Sequence, residues 1–376
     1  MADSDSEIRG QTLTMMESAW RPEGFSVPNP HVYPFQWLWD SCFHSIIWAE
    51  LGDQRATTEL ESALANQDET GFVPHLTYWT DPDHHRSFWA RSLTSSITQP
   101  PMYGHTAAEL VRRGFGVSDE TMRRATLGLH HLLNDRQRTE AGLVPVFHPW
   151  ETGCDDSLRW DHWRTNTSSI EEWRNQKGDL VRAIDFDGGR HPTGSSLFAV
   201  GSVGFNALIV WNVRELASVG VGTELLPLAC ELAEAVVSRW NEAAATWIDD
   251  GPHAESSGGA RTADSMLALL VDPRPIGFAQ LTDPVAFSAP FGSRGVHRGE
   301  PGYQPDVYWR GGSWPQLSYL LALAARDAGF PEASESARRG LRAGAIESGM
   351  SEYWHPESGK GLGARPQSWA GLAILR

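Results

Sequence analysis

The stretch Ser313-Trp314-Pro315-Gln316-Leu317-Ser318-Tyr319-Leu320-Leu321-Ala322-Leu323-Ala324-Ala325-Arg326-Asp327-Ala328-Gly329-Phe330-Pro331 decides the fold. Its apolar residues, such as Leu317, Leu320, Leu321 and Ala324, recur at i, i+3, i+4 and i+7, the period of an amphipathic helix. Gly329 closes that helix and Pro331 restarts the chain. A second window of the same period runs over Glu332–Ile346. Two helices joined this tightly form a hairpin. The same reading extends outward to Asp53–Gln67, Gly104–Gly114, Ser118–Leu133, Leu197–Ala217 and Glu224–Ala244, with weaker starts near Ile8, Phe35 and Gln367. Ser118-Asp119-Glu120 opens one helix with acids at the positive end of its dipole. Strand signals are short, at Phe72–Leu76 and Leu143–Phe147. No βαβ alternation occurs and no G-x-G-x-x-G follows a strand, which excludes a parallel α/β fold. The pattern predicts an all-α array of paired helices, best buried as a ring with an inner and an outer layer. In such a toroid the long loops Thr77–Gln99, Phe147–Thr193 and Asp272–Arg310 build a site at one end. No linker breaks the chain, so residues 1–376 read as one domain. Periodicity is poorest over residues 248–305.

The formal charge of -16 opposes nucleic acid and anionic membranes as partners. Cations are nearly all arginine, with only Lys177 and Lys360 as lysines. Cys42, Cys154 and Cys230 are widely spaced without C-x-x-C, which argues against a disulfide framework or structural zinc and fits a reducing compartment. The polar N-terminus and the absence of a long apolar run predict a cytoplasmic protein that needs no membrane. A homo-oligomer is compatible with the sequence. The 17 tryptophans are in excess of what a core needs, and many stand beside acids, glycines or prolines. Indoles so placed suit the C–H face of a sugar, although any single one also reads as a core ring at a helix end.

Four clusters carry the chemistry. Trp150-Glu151-Thr152-Gly153-Cys154-Asp155-Asp156-Ser157-Leu158-Arg159-Trp160-Asp161 places two carboxylates between a glycine turn and an Arg-Trp pair. A carboxyl in apolar surroundings holds a proton that it can donate; the same segment also reads as an Asx turn with an Arg–Asp pair. Tyr33, Trp37, Asp40 and His44 follow at spacings of 4, 3 and 4, which would put them on one helix face. Asp306–Pro315 holds Tyr308, Trp309 and Arg310 before Gly311-Gly312, where backbone can approach a ligand and Arg310 could clamp a hydroxyl or carboxylate. Glu352–Gly363 is a glycine-rich turn that could aim an acid inward, and spacing does not rank Glu352 against Glu357. Gln367-Ser368-Trp369 follows it. The pairs His84-His85 and His130-His131 lack metal-ligand spacing, and no metal or organic cofactor is expected.

Taken in order, the Trp-Leu-Trp-Asp start at 37–40, the Glu-Thr-Gly-Cys-Asp-Asp-Ser loop at 151–157, Tyr308-Trp309-Arg310-Gly311 and the C-terminal Glu352-Tyr353…Ser368-Trp369 resemble glycoside hydrolase family 63. They are most similar to its bacterial glucosylglycerate and mannosylglycerate hydrolases. The resemblance spans about Tyr33 to Trp369 and implies an (α/α)6 barrel that hydrolyses an α-glycoside with inversion. It implies Asp155 as general acid and Glu352 as general base. Tyr33, Trp37, Asp40, Tyr78, Gln99, Tyr308, Trp309, Gln367 and Trp369 become substrate contacts, and Arg190 or Arg310 meets an acidic aglycone such as glycerate. An inverting pair stands about 6.5–9.5 Å apart to admit the water. The chain departs from the pattern at Asp156, where that branch has Asn, at Gly312, where Pro is usual, and at Gln367, where an aromatic is common. A second carboxylate at Asp156 would raise the pKa of Asp155 further, or bind a sugar hydroxyl. Two other readings stand: a trehalase-like or α-glucosidase hydrolase of a neutral saccharide, and a glycan-binding barrel without catalysis.

Overall fold

The computed structural model describes residues 2–163, 169–188, 191–251 and 259–375. Its helices in chain order are α1 (Ala2–Ala19), α2 (Leu38–Leu51), α3 (Arg55–Leu64), α4 (Arg86–Trp89), α5 (Tyr103–Arg112), α6 (Asp119–His130), α7 (Ile170–Arg182), α8 (Val203–Ser218), α9 (Leu226–Ser238), α10 (Pro275–Thr282), α11 (Pro315–Asp327) and α12 (Pro331–Ser348). Two 3₁₀ segments, Ser265–Leu270 and Ser368–Ile374, complete the framework.

These elements form two concentric rings. In the inner ring α2 packs on α5, α5 on α8, α8 on Ser265–Leu270, that segment on α11, α11 on Ser368–Ile374, and Ser368–Ile374 back on α2. Each inner element has an outer partner: α3, α6, α9, α10 and α12 follow theirs in the chain, and the N-terminal α1 covers the last. This is the (α/α)6 barrel. The sequence separates the layers physically. Inner α2, α8 and α11 bury nearly every residue, Asp40, His44, Asn206 and Gln316 among them, whereas outer α3, α6 and α12 bury one stripe.

Helix ends follow local chemistry. Ser118 caps α6 by accepting from Thr121 N at 3.2 Å. The predicted window from Leu197 begins instead at Val203, because Ser202 provides the cap. The window to Ala244 stops at Ser238, and Trp240-Asn241 then pairs antiparallel with Thr246-Trp247. The expected strand at Phe72–Leu76 shrinks to Leu76-Thr77, paired with Gln36-Trp37. That at Leu143–Phe147 reduces to one bridge, Val146 with Val200. The stretch Phe147–Thr193 is not a loop. It contains α7, opened by a Ser169–Glu172 capping box, and Ile184–Asp187 pairs with His191–Ser195. Asp272–Arg310 likewise contains α10. Among the described residues no helix is long and apolar enough to cross a membrane.

Candidate active site

A cavity of about 590 Å³ opens at one end of the barrel. Its described lining comes from segments that lead into inner elements or form their first turn. These are Tyr33 to Asp40 at α2, His75 to Gln99 before α5, Trp150 to Asp155 before α8, Tyr308-Trp309 before α11, and Glu352 with Gln367 and Trp369 at the last segment. The positive ends of the inner helices α2, α5, α8 and α11 therefore face the same end as the acids.

The cavity brings together Asp155, Glu352, Tyr33, Trp37, Asp40, Tyr78, Gln99, Tyr308, Trp309, Gln367 and Trp369. Arg190 lies outside the described residues. Arg310 does not line the cavity: its guanidinium is turned onto Asp161, with Nη1 at 2.8 Å and Nη2 at 2.7 Å from the two carboxylate oxygens. His44 also leaves the expected face. The helix starts only at Leu38, so Tyr33 and Trp37 precede it, and His44 sits 2.5 Å from Ser368 Oγ within the barrel wall. Glu357 is held by Arg294 at 2.8 Å and by Tyr303 outside the cavity, which separates it from Glu352.

Glu352 is 2 % exposed and rigidly framed. Its Oε2 accepts from Ala364 N at 2.8 Å and its Oε1 from Tyr33 OH at 3.1 Å. Its backbone carbonyl accepts from Trp369 Nε1 at 2.9 Å. Two donors to a carboxylate favour its ionised form. Asp155 is half-buried on a loop fixed from behind. Trp160 Nε1 donates to Cys154 O at 2.7 Å, and Arg159 pairs with Asp249 and Asp264. Asp249 in turn accepts from Val203 N at 2.9 Å, tying the loop to the start of α8. The Arg-Trp pair of the motif thus braces the loop. Gly153 admits the Trp39 ring, which any Cβ would strike.

Asp40 is fully buried on the first turn of α2, and burial, then the charge of Glu352, push its carboxyl well above the usual range. It therefore tends to hold a proton and can donate to a hydroxyl as well as accept from one. Burial, reinforced by Glu352 and Asp155, likewise raises the Tyr33 and Tyr308 phenols, so both remain donors. Burial pushes His75 down to about 3, so it stays neutral. Gln99 Oε1 accepts from Trp39 N at 3.3 Å, a donor left over at the head of α2. Two buried polar atoms on lining residues, Trp37 Nε1 and Gln367 Oε1, have no hydrogen-bond partner among the described residues. Such atoms are expected where a polar ligand completes the set. Trp309 holds φ at +59° and stacks on Trp314 at 3.7 Å, which in turn stacks on Tyr353.

Sequence reasoning missed part of this wall. His84, His85, Phe88 and Trp89 form an aromatic rim with Trp150 and Phe35. Metal-ligand spacing is the wrong test for these two histidines; the signal is the aromatic content of their loop. Asp156, expected as a second charge or a sugar ligand, is fully buried beside Lys177, Nζ to Oδ1 2.6 Å, and does not line the cavity. The signal available was the scarcity of lysine itself. The one His–carboxylate group with metal-like spacing among the described residues, His105, Glu109 and Glu215, is bridged by Arg112 at 2.9 and 2.7 Å, away from the cavity.

The model of the mannosylglycerate hydrolase MGH1-like glycoside hydrolase domain matches residues 33–370. A mannosylglycerate hydrolase of Thermus thermophilus is 28% identical, over 93% of this chain and 96% of its own. A glucosylglycerate hydrolase of Mycolicibacterium hassiacum is 27% identical, over 98% and 95%. In fold, the chain is similar to the crystal structure of a GH63 mannosylglycerate hydrolase from Thermus thermophilus in complex with Tris. That likeness has a TM-score of 0.81 at 23% identity, over 98% of this chain and 99% of the other.

Proposed function

The chain belongs to the MGH1-like glycoside hydrolases of family 63, and from that premise we propose that it hydrolyses an α-linked glycoside of glycerate, glucosylglycerate or mannosylglycerate, with inversion. Asp155 protonates the glycosidic oxygen as the bond to C1 breaks. Glu352 takes a proton from the water that attacks C1 from the other side. Asp40, Trp37, Trp309 and Gln367 hold the sugar.

One observation carries this reading. Asp155 and Glu352, nearly two hundred residues apart in the chain, line the same cavity and both act electrostatically on Tyr33 and Tyr308. An inverting reaction uses two such carboxyls, one on each side of the sugar. The donors on Glu352 suit a base that rests ionised, and each role is worth about 10²–10⁴-fold in rate.

A neutral α-disaccharide is the second reading, favoured by one fact. Among the described residues the cavity lining offers no arginine or lysine to a substrate carboxylate, only the rim pair His84 and His85. Arg190, outside the described residues, is the candidate for that task in the first reading.

Released sugar followed by proton NMR separates them. The expected result is a β-anomer appearing first from glucosylglycerate or mannosylglycerate, with trehalose and kojibiose untouched. Release from a neutral disaccharide alone would keep the acid–base pair and discard the glycerate. Unchanged turnover by Asp155→Ala would overturn the catalytic assignment.

A further inference from the structure

Lys177 is one of two lysines in the chain and is 3 % exposed. It lies on α7, which packs on α4 at the cavity rim. Its Nζ stands 2.6 Å from Asp156 Oδ1 and about equally far from the rings of Trp150 and Trp173, 6.0 and 5.9 Å from their centroids. Its backbone carbonyl accepts from His148 Nε2 at 3.1 Å, while His148 Nδ1 accepts from Trp150 N at 3.1 Å. Burial keeps that imidazole neutral, which fits one donor and one acceptor. Helix α7 is therefore fastened to both ends of the loop that carries Asp155. A buried carboxylate with a buried ammonium has a net charge near zero, whereas either alone would act on Asp155 through a poorly screened interior.

We propose that Lys177 is a positioning residue for the hydrolytic site: by neutralising Asp156 it sets the acidity of the neighbouring Asp155 and locks α7 over the cavity. This rests on the reading of Asp155 as proton donor. Other charges also reach Asp155, from several elements. Tyr33, Asp40 of α2 and Tyr308 interact with it, as does Cys154 behind it. Arg159 with Asp249 and Asp264 lies beyond Cys154, Asp161 with Arg310 on the far side of Asp156, and Glu352 across the cavity. These stay constant when only the Lys177–Asp156 pair is altered, and the sign of the effect then follows from that pair.

The experiment is the pH profile of kcat/KM on glucosylglycerate or mannosylglycerate, whichever the enzyme turns over. Its alkaline limb reports loss of the proton from the donor. Lys177→Met leaves a carboxylate beside Asp155, and the limb moves up by about one pH unit. Asp156→Asn leaves an ammonium, and the limb moves down by a similar amount. The double variant K177M/D156N carries neither charge and returns the limb to near its original position, which also keeps the test open if one single variant fails to fold. A limb that stays fixed in every folded variant while kcat falls reduces Lys177 to a structural role and overturns the proposal. Asp155→Asn, assayed with a glycosyl fluoride that needs little protonation, separates the two readings. A limb that persists there belongs to another group and refutes Asp155 as donor. A limb that vanishes there but ignores Lys177 and Asp156 refutes only the present proposal.

Discussion

Replacing Gly363 with alanine tests whether the position of Glu352 matters, without touching its chemistry. Gly363 holds φ at +72°, and a Cβ there would lie 2.9 Å from Glu352 Cβ, 3.0 Å from its Cδ and nearer still to Oε2. The hairpin cannot simply retreat. Glu352 N donates to Ala364 O and Ala364 N to Glu352 Oε2, both at 2.8 Å, and Gln367 N is tied to Met350 O at 2.8 Å. Restoring ordinary contact therefore moves the carboxylate by roughly 0.5–1 Å, and a misplacement near 1 Å costs about 10²-fold in rate. The left-handed backbone adds about 1–2 kcal/mol of instability for any residue with a Cβ. Gly349→Ala isolates that second cost. Its φ is +64°, and a Cβ there would lie 3.5 Å from its nearest neighbour, Arg365 Cδ, an ordinary contact. Both variants should lose similar stability by thermal melt. Only Gly363→Ala should lose kcat, by about 10²-fold with KM little changed. If its kcat stays within about threefold of that of Gly349→Ala, the aimed carboxylate is not what limits the reaction, and the geometric reasoning fails.

Asp40→Asn should lose activity yet gain stability as pH rises. The folded carboxyl keeps its proton above the unfolded value of about 3.9, so its ionisation subtracts stability as pH climbs through that interval. The variant's melting temperature should match the wild type near pH 3 and exceed it at pH 8, by about 1–1.5 °C per kcal/mol recovered; a constant difference would contradict the raised pKa. Arg136→Met should destabilise by about 3–5 kcal/mol in urea unfolding, because Glu151 is left charged and buried with, among the described residues, only Phe147 N and Thr98 N as donors. Arg136→Met with Glu151→Met should recover part of that loss, and no recovery would show that packing dominates.

Helical pairs were legible wherever the apolar stripe was complete, as in Pro315–Asp327 and Pro331–Ser348. The helix α7 was not, for a definite reason. Its buried face is Trp173, Lys177, Leu180 and Val181, and the lysine at i+4 erases the apolar period that the buried ion pair restores in space. His44 and Arg310 misled for a related cause. Each has the chemistry of a site residue and the right chain neighbours. Each spends that chemistry on a neighbour, His44 on Ser368 inside the wall and Arg310 on the exposed Asp161. Sequence names residues able to bind; only packing decides which are already bound. Trp37 and Gln367 show the converse, with polar atoms that the described residues leave unmatched.

The ring order explains why so dispersed a set of motifs converges. Chain segments entering inner elements one, two, three, five and six all contribute to the described lining. The segment entering the fourth, Ser265–Leu270, contributes none among the described residues; it carries Asp264, which instead braces Arg159 and so the loop of Asp155. The first position, opposite the fourth, holds Asp40. The third and sixth, also opposite, hold Asp155 and Glu352. For the proposed glycoside, Trp37 and Trp309 would hold the sugar in the cavity that Asp40, Asp155 and Glu352 also line. Asp155 and Glu352 suit displacement at C1, while the buried Asp40, biased toward its protonated form, suits a hydroxyl. On this arrangement the segments entering the inner ring line the cavity, and α4, on which α7 packs, adds Phe88 and Trp89 to its rim. The Lys177–Asp156 pair lies where α7 is fastened to the loop of Asp155.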